Sequence, residues 1–202
     1  LQSLATENVE LAKQLSNLAT QASQVITTTT DLQSEMKNLA HSRETVERVL
    51  ATGLVTDELV DVLRQMRSSL PKIDPLQQIQ THNQSAQTIQ QLNMILWQNQ
   101  LRDLQDMPMA IATMMTAQGI DLSPADSVVA QRLMQSRIVI LQALVAASIA
   151  QSDRLVAEGL AVTDVLQNTN DLIELLDRRL LWLPSRTGLN GGLLDNVAAS
   201  TR

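Results

Sequence analysis

A heptad seam fills the first quarter of the chain and constrains what can follow it. Residues spaced alternately four and three apart form the seam: Leu4, Asn8, Leu11, Leu15, Leu18, Ala22, Val25, Thr29, Leu32, Met36, Leu39, Arg43, Val46 and Leu50. Eleven of these fourteen are apolar. The chain is 44% apolar, so chance would supply about six, and the spacing marks a helix that buries one stripe against other helices. It predicts a helix over about 3–51, on the order of 70 Å long at ~1.5 Å per residue. A stripe of that length must be covered. Helices of the same chain folded back on it are preferred to an isolated two-chain coil.

Composition points the same way. The only aromatic residues among 202 are Trp97 and Trp182. A thick globular core normally relies on aromatics for filling, whereas a thin bundle fills with Leu, Ile, Val, Met and Ala. Six glycines and five prolines are too few for a turn-rich β protein. The net charge of −6 argues against a nucleic-acid binder, which needs a basic surface. With no cysteine, disulfides, thiolate chemistry and Cys-ligated metals are excluded.

Further helices follow from start and stop signals. Gly53 ends the first. Thr56, followed by Asp57 and Glu58, reads as an N-cap with acids at the positive end of the helix dipole. A short helix over 57–69 then shows Leu59, Val62, Leu63, Met66 and Leu70 on one face before Pro71. Asp74-Pro75 opens a third helix over 75–118. It is Gln-rich to residue 88, then apolar through Ile89, Leu92, Ile95, Leu96, Leu101 and Leu104, with a break at Pro108 near residue 105 and a close at Gly119. Ser123-Pro124 opens a fourth over 124–182. Its seam reads Ile138, Leu141, Val145, Ser148, Ser152, Leu155, Gly159, Val162, Leu166, Thr169, Ile173, Leu176 and Leu180. Ser148, Ser152 and Gly159 would allow a close helix approach or a bend. Residues 138–150 are apolar almost all round and should be the most buried part. That run is too short for a membrane span of about 20 residues. The expected fold is all-α, an elongated antiparallel bundle or coiled coil with two long helices and two shorter or kinked ones. One domain covers 1–185 and a Gly-rich linker 186–202.

The residues of chemistry do not converge. His41 and His82 lack a second His or a Cys at ligand spacing, so no metal site is expected. His41-Ser42 lies on an uninterrupted helix, which offers neither a strained turn nor an oxyanion hole. The groups Glu7/Glu10, Glu44/Glu47 and Asp57/Glu58/Asp61 fall among Lys and Arg at helical spacing and read as solvated faces, not as an acid–base pair. The glycines at 188, 191 and 192 match no phosphate-binding pattern. Met107, Met109, Met114 and Met115 read as core filler beside the Pro108 break, ahead of an adaptable binding groove. The tract Thr27–Thr30 reads as a solvated soft point. No catalytic residue and no cofactor are expected, and the chain is not expected to be an enzyme. Trp182, beside the basic run that includes Arg178, Arg179 and Arg186, has two open readings: a membrane-interface anchor or a cap on the bundle end.

The last helix and its exit carry a family signal. The run from Asp171 to Ser185, with Leu180, Leu181, Trp182 and Ser185, resembles the end of the periplasmic region in the large mechanosensitive channels of the MscS superfamily. These are the potassium-dependent MscK and its MscM-like relatives. Leu59–Pro71, which ends in Leu-Pro, is similar to the short helix after that family's long heptad helix. Leu101-Arg102-Asp103-Leu104 and Leu122-Ser123-Pro124 fall in the family's order, and the likeness spans most of 1–185. The resemblance implies a periplasmic, structural or modulatory domain of a Gram-negative inner-membrane channel that opens under tension in hypoosmotic shock. It implies a homoheptamer whose transmembrane and pore regions lie elsewhere in the same chain, with membrane-surface or cell-wall contact open. Trp182, Pro184, Gly188, Gly191 and Gly192 would then form the membrane-proximal junction. No ligand or catalytic residue carries over. The sequence starts at Leu1 without a signal-peptide pattern, so a piece of a longer protein is expected. On its own it should be a monomer or weak oligomer. Two other readings stand beside this one: a sensory, ligand-binding bundle of a transmembrane receptor with its pocket near Pro108, and a soluble coiled-coil scaffold.

Overall fold

The structure is a computed structural model that describes residues 1–52, 56–104 and 124–181. The described residues form four α-helices and no strand: α1 (Gln2–Ala51), α2 (Asp57–Ser69), α3 (Ile73–Asp103) and α4 (Pro124–Leu181). The all-α class is as expected. The 105–118 part of the expected third helix, with Pro108 and its methionines, lies outside the described residues, as do Gly53 and Gly119.

Local signals explain most of the boundaries. Thr56 is extended, and its hydroxyl accepts from the Leu59 backbone N–H at 3.2 Å, which satisfies one of the orphan donors at the start of α2. Leu70 is extended at ψ 151°, as a residue before proline prefers. Asp74-Pro75 is displaced from its expected role. α3 starts at Ile73, so Asp74 and Pro75 lie inside the first turn. Proline is tolerated there because the first-turn N–H groups have no intrahelical acceptor.

The α1 seam is clear and asymmetric. Leu4, Leu11, Leu18, Val25, Leu32, Leu39 and Val46, one line at seven-residue spacing, are all buried. The companion line is thinner. Asn8 is buried, Leu15, Ala22, Thr29, Met36 and Leu50 are half-buried, and Arg43 is exposed, bonded to Glu47 at 2.9 Å.

The chain divides into two compact units. One combines Leu1–Glu35 with Asp74–Asp164, and the other Met36–Ile73 with Val165–Arg202. The first is a three-helix arrangement whose directions follow from its contacts. Glu7 meets Arg137, and Thr28 meets Glu158. The sequence separation is the same in both pairs, so α1 and α4 run parallel. Gln80 meets Thr163, Asn83 meets Glu158 and Gln90 meets Ser148. These separations shrink along α3, so α3 runs antiparallel to α4. Within this unit α3 is thus antiparallel to α4 and α1 parallel to it. A chain that goes up, down and up places its first and third passes in the same direction. Leu4, Leu11, Leu18, Trp97, Leu104, Met134, Leu141 and Leu144 form the apolar core here.

α4 corrects the expected seam by one residue. Its buried lines are 141, 148, 155, 162, 169 and 176, as expected, and 144, 151, 158, 165 and 172. The expected second line, Val145, Ser152, Gly159, Leu166 and Ile173, is only half-buried. The buried line contains Gln151 and Glu158, which disguised it as an outer face. In this unit α4 touches both α1 and α3, so it covers a wider arc than a two-helix seam. That arc is still not the whole circumference. Leu141 and Leu144 are fully buried, while Val139 is 64% and Ile149 49% exposed, so 138–150 is not buried all round. Nor is Gly159 a close approach, since a Cβ there would first meet Asn83 Nδ2 at 3.9 Å. α4 is also long and apolar enough over an 18-residue window, mean hydropathy 1.6, to cross a membrane by length and composition.

α3 carries its burial on one line that crosses both its Gln-rich and its apolar part. It buries Leu76, Asn83, Gln90, Trp97 and Leu104, again every seventh residue. Ile89, Leu92, Ile95 and Leu96 lie off that line and are at least half exposed.

The second unit buries Leu39, Val46, Leu63, Val165, Thr169, Leu172 and Leu176. On α2, Leu63 is fully buried, Leu59 and Met66 half-buried, and Val62 exposed. Arg67 forks onto Asp177, with its Nη2 donating at 3.1 Å.

Candidate functional site

The polar residues on the buried lines of α3 and α4 meet in the middle of the first unit. Asn83 sits seven residues after Leu76 and Gln90 seven before Trp97, so the helical repeat turns both amides inward. Asn83 Nδ2 donates to Glu158 Oε2 at 2.9 Å. Asn83 Oδ1 in turn accepts from Gln87 Nε2 at 2.9 Å. One level away, Gln90 Nε2 donates to Ser148 Oγ at 2.6 Å. Each of these buried groups gains a partner, without which its burial would be costly.

Glu158 is the chemical centre of this layer. It is 6% exposed. Burial pushes its carboxyl above the usual carboxylate range; the charge of His82 and hydrogen bonds from Thr28 and Asn83 oppose that push without cancelling it. The tract Thr27–Thr30 is therefore not simply solvated. Thr28 is half-buried against Glu158, and its hydroxyl also lies 3.1 Å from the Gln24 carbonyl. His82, which has no metal-ligand partner in the sequence, is exposed at the edge of this layer.

Beside the layer lies an open-sided cavity of about 780 Å³ between α1, α3 and α4. Amides reach it from every side, among them Gln14, Gln24, Gln90, Asn93 and Gln151. Leu18, Val25 and Leu155 supply apolar wall, and Trp97 lines it as well. Among the described residues Glu158 is its one carboxylate, His82 lines it too, and no Lys or Arg does. The side-chain oxygen of Gln151, which is 3% exposed, has no hydrogen-bond partner. Such an acceptor is satisfied by an ordered water or by the donor of a ligand.

The residues singled out from sequence fall elsewhere. Trp182, Pro184, Gly188, Gly191 and Gly192, the candidate junction, lie outside the described residues, as does the Pro108 region where the sensory-bundle reading would put its pocket. His41 is exposed. Among the expected solvated acids, Glu7 differs: it accepts from Arg137 across to α4, and that bond holds its carboxyl below the ordinary range. Glu158, Asn83, Gln90 and Gln151 were missed. The available signal was the exact sevenfold register of Asn83 and Gln90 with Leu76 and Trp97, which places two amides inside a seam.

Compared with known proteins, the chain matches no protein-family model, no curated protein and no solved structure.

Proposed function

We propose that this chain is a periplasmic structural and modulatory domain of a homoheptameric inner-membrane mechanosensitive channel. The observation that carries the reading is the position of the family-like run. Asp171 to Leu181 forms the last three turns of α4, a helix of 58 residues without a break, and the run continues into Trp182-Leu183-Pro184-Ser185. A long helix packed along one face is stiff and transmits displacement from one end to the other. In this reading α4 couples the helical domain to the first membrane span, and Pro184 with Gly188, Gly191 and Gly192 sets how loosely.

Deleting Gly188–Gly192 in the full-length channel and measuring the gating tension in membrane patches tests the mechanism. A shifted threshold is expected, and unchanged gating overturns it. The coding sequence after Arg202 tests the assignment itself. Several apolar segments of ~20 residues are expected there. A stop codon or a soluble domain would move the scaffold reading into first place.

A further inference from the structure

We propose that the cavity of the first unit is a binding site for a linear polyamine, an alkyl chain carrying two or more ammonium groups. The inference goes beyond the channel reading and stands or falls without it.

Charge is the first argument. Among the described residues one carboxylate faces the cavity, at Glu158, no Lys or Arg lines it, and His82 is the one basic side chain at its edge. An anion would meet Glu158 with only His82 to offset the repulsion, whereas an ammonium group meets an acceptor already fixed by Asn83 at 2.9 Å. Charge-assisted hydrogen bonds of this kind are the strong ones.

The second argument is the unpartnered oxygen of Gln151. It lies seven residues from Glu158 along α4, about 10 Å at 1.5 Å per residue. One ammonium group cannot serve both. A chain with nitrogens separated by several methylenes can, because the intervening wall is Leu155, which suits methylene groups.

The third is Trp97. It lines the same cavity, seven residues past Gln90 on α3. It is only 6% exposed and belongs to the apolar core, so it adds wall for the methylene chain and places a fluorophore beside the cavity. A bare divalent ion fits less well. Calcium takes about six to eight oxygen ligands, several of them carboxylates, and the described residues of the cavity offer one carboxylate. The volume of about 780 Å³ lies in the range of small-ligand sites, roughly 300–1,000 Å³.

The test titrates spermidine into the whole chain carrying Trp182→Phe, so that Trp97 is the only fluorophore, at about 150 mM salt to screen surface attraction. A saturable change in Trp97 fluorescence and a raised melting temperature are expected. Magnesium at equal charge concentration should produce neither. Glu158→Gln keeps the shape and an acceptor oxygen, and is expected to weaken spermidine at least about tenfold, or ~1.4 kcal/mol. Gln151→Leu should weaken it less. Circular dichroism verifies that both variants fold. Absence of saturable binding overturns the proposal. So does equal affinity in the wild type and Glu158→Gln, which would assign the binding to the acidic surface. An equal response to magnesium would do the same.

Discussion

The two units use the same seven-residue spacing and fill it with different chemistry. In the first, the buried lines include Asn8, Asn83, Gln90, Ser148, Gln151 and Glu158. Among the described residues of the second, Leu39, Val46, Leu63, Val165, Leu172 and Leu176 are joined by one buried polar residue, Thr169, whose hydroxyl has no partner. A seam of Leu and Val repeated every seven residues barely distinguishes one register from the next, because a slide by one heptad replaces apolar with apolar. The pairs Asn83–Glu158 and Gln90–Ser148 make such a slide costly, since each would leave buried polar groups unpaired. The first unit thus specifies its register, while the second is held by apolar burial.

The largest effects should come from the apolar residues of both units. Leu144→Ala in the first and Leu176→Ala in the second each remove a fully buried side chain and are expected to cost about 2–5 kcal/mol. Urea unfolding followed by circular dichroism measures both. With Trp182→Phe in the background, Trp97 reports on the first unit alone. If Trp97 and circular dichroism follow one transition in both variants, the units melt together. If Leu176→Ala leaves the Trp97 transition in place, they melt apart.

Next comes the polar pair. Gln90→Leu alone strands the Ser148 hydroxyl and is expected to cost about 1–3 kcal/mol. The double change Gln90→Leu with Ser148→Ala removes both partners and should fall near neutral in stability. A double-mutant cycle measures the coupling. If the single and double variants lose the same amount, the pair is not what distinguishes the first unit.

This chemistry also marks the limit of what the sequence made legible. The sevenfold line of α1 was readable because its residues are Leu or Val from Leu4 to Val46. The Thr56 cap and the Leu70-Pro71 stop were readable because they act through neighbours in the chain. On α4 the apolar pattern led to Val145, Leu166 and Ile173, while the packed line runs through Leu144, Gln151 and Glu158. On α3 the apolar residues Ile89, Leu92, Ile95 and Leu96 are at least half exposed, and the buried line runs through Asn83, Gln90 and Trp97. Periodicity finds the apolar stripe, and a stripe that includes amides and a carboxylate is legible only from the partners across it. The parallel course of α1 and α4 was hidden for the same reason: a seam shows a buried face and not what covers it.

Glu158 has a smaller effect with a pH signature. Its carboxyl titrates above its ordinary value of 4.5 because it is buried, so the folded state holds that proton more tightly than the unfolded one. This contribution to stability is fully present below pH 4.5 and is lost as pH rises through the raised folded value. Glu158→Gln removes the ionisation and keeps an acceptor for Asn83. At neutral pH it should be more stable than the wild type by on the order of 1 kcal/mol, with the two converging toward pH 4. Melting temperatures from pH 4 to pH 8 measure this. Parallel curves would mean that the layer already solvates its charge.

The ion pairs give the smallest effect and rank the units once more. Arg137, which reaches Glu7, has a side chain only 15% exposed, whereas Arg67 and Asp177 are 49% and 41% exposed. Exposed pairs gain little because water and salt screen them and two long side chains lose freedom. Arg67→Ala should therefore move the melting temperature by no more than about 2 °C. Arg137→Ala should move it further, since its guanidinium stem also packs against the helices. Acid removes both contributions. Arg137 lowers the Glu7 carboxyl and Arg67 the Asp177 carboxyl, so each contribution is present above the carboxyl's ordinary value and fades as pH falls through the lowered one. Melting curves at low and high salt separate the two. The Arg67 effect should vanish in high salt, and the Arg137 effect should persist in part. A larger or salt-resistant effect at Arg67 would show that the second unit, too, relies on a polar contact to fix its packing.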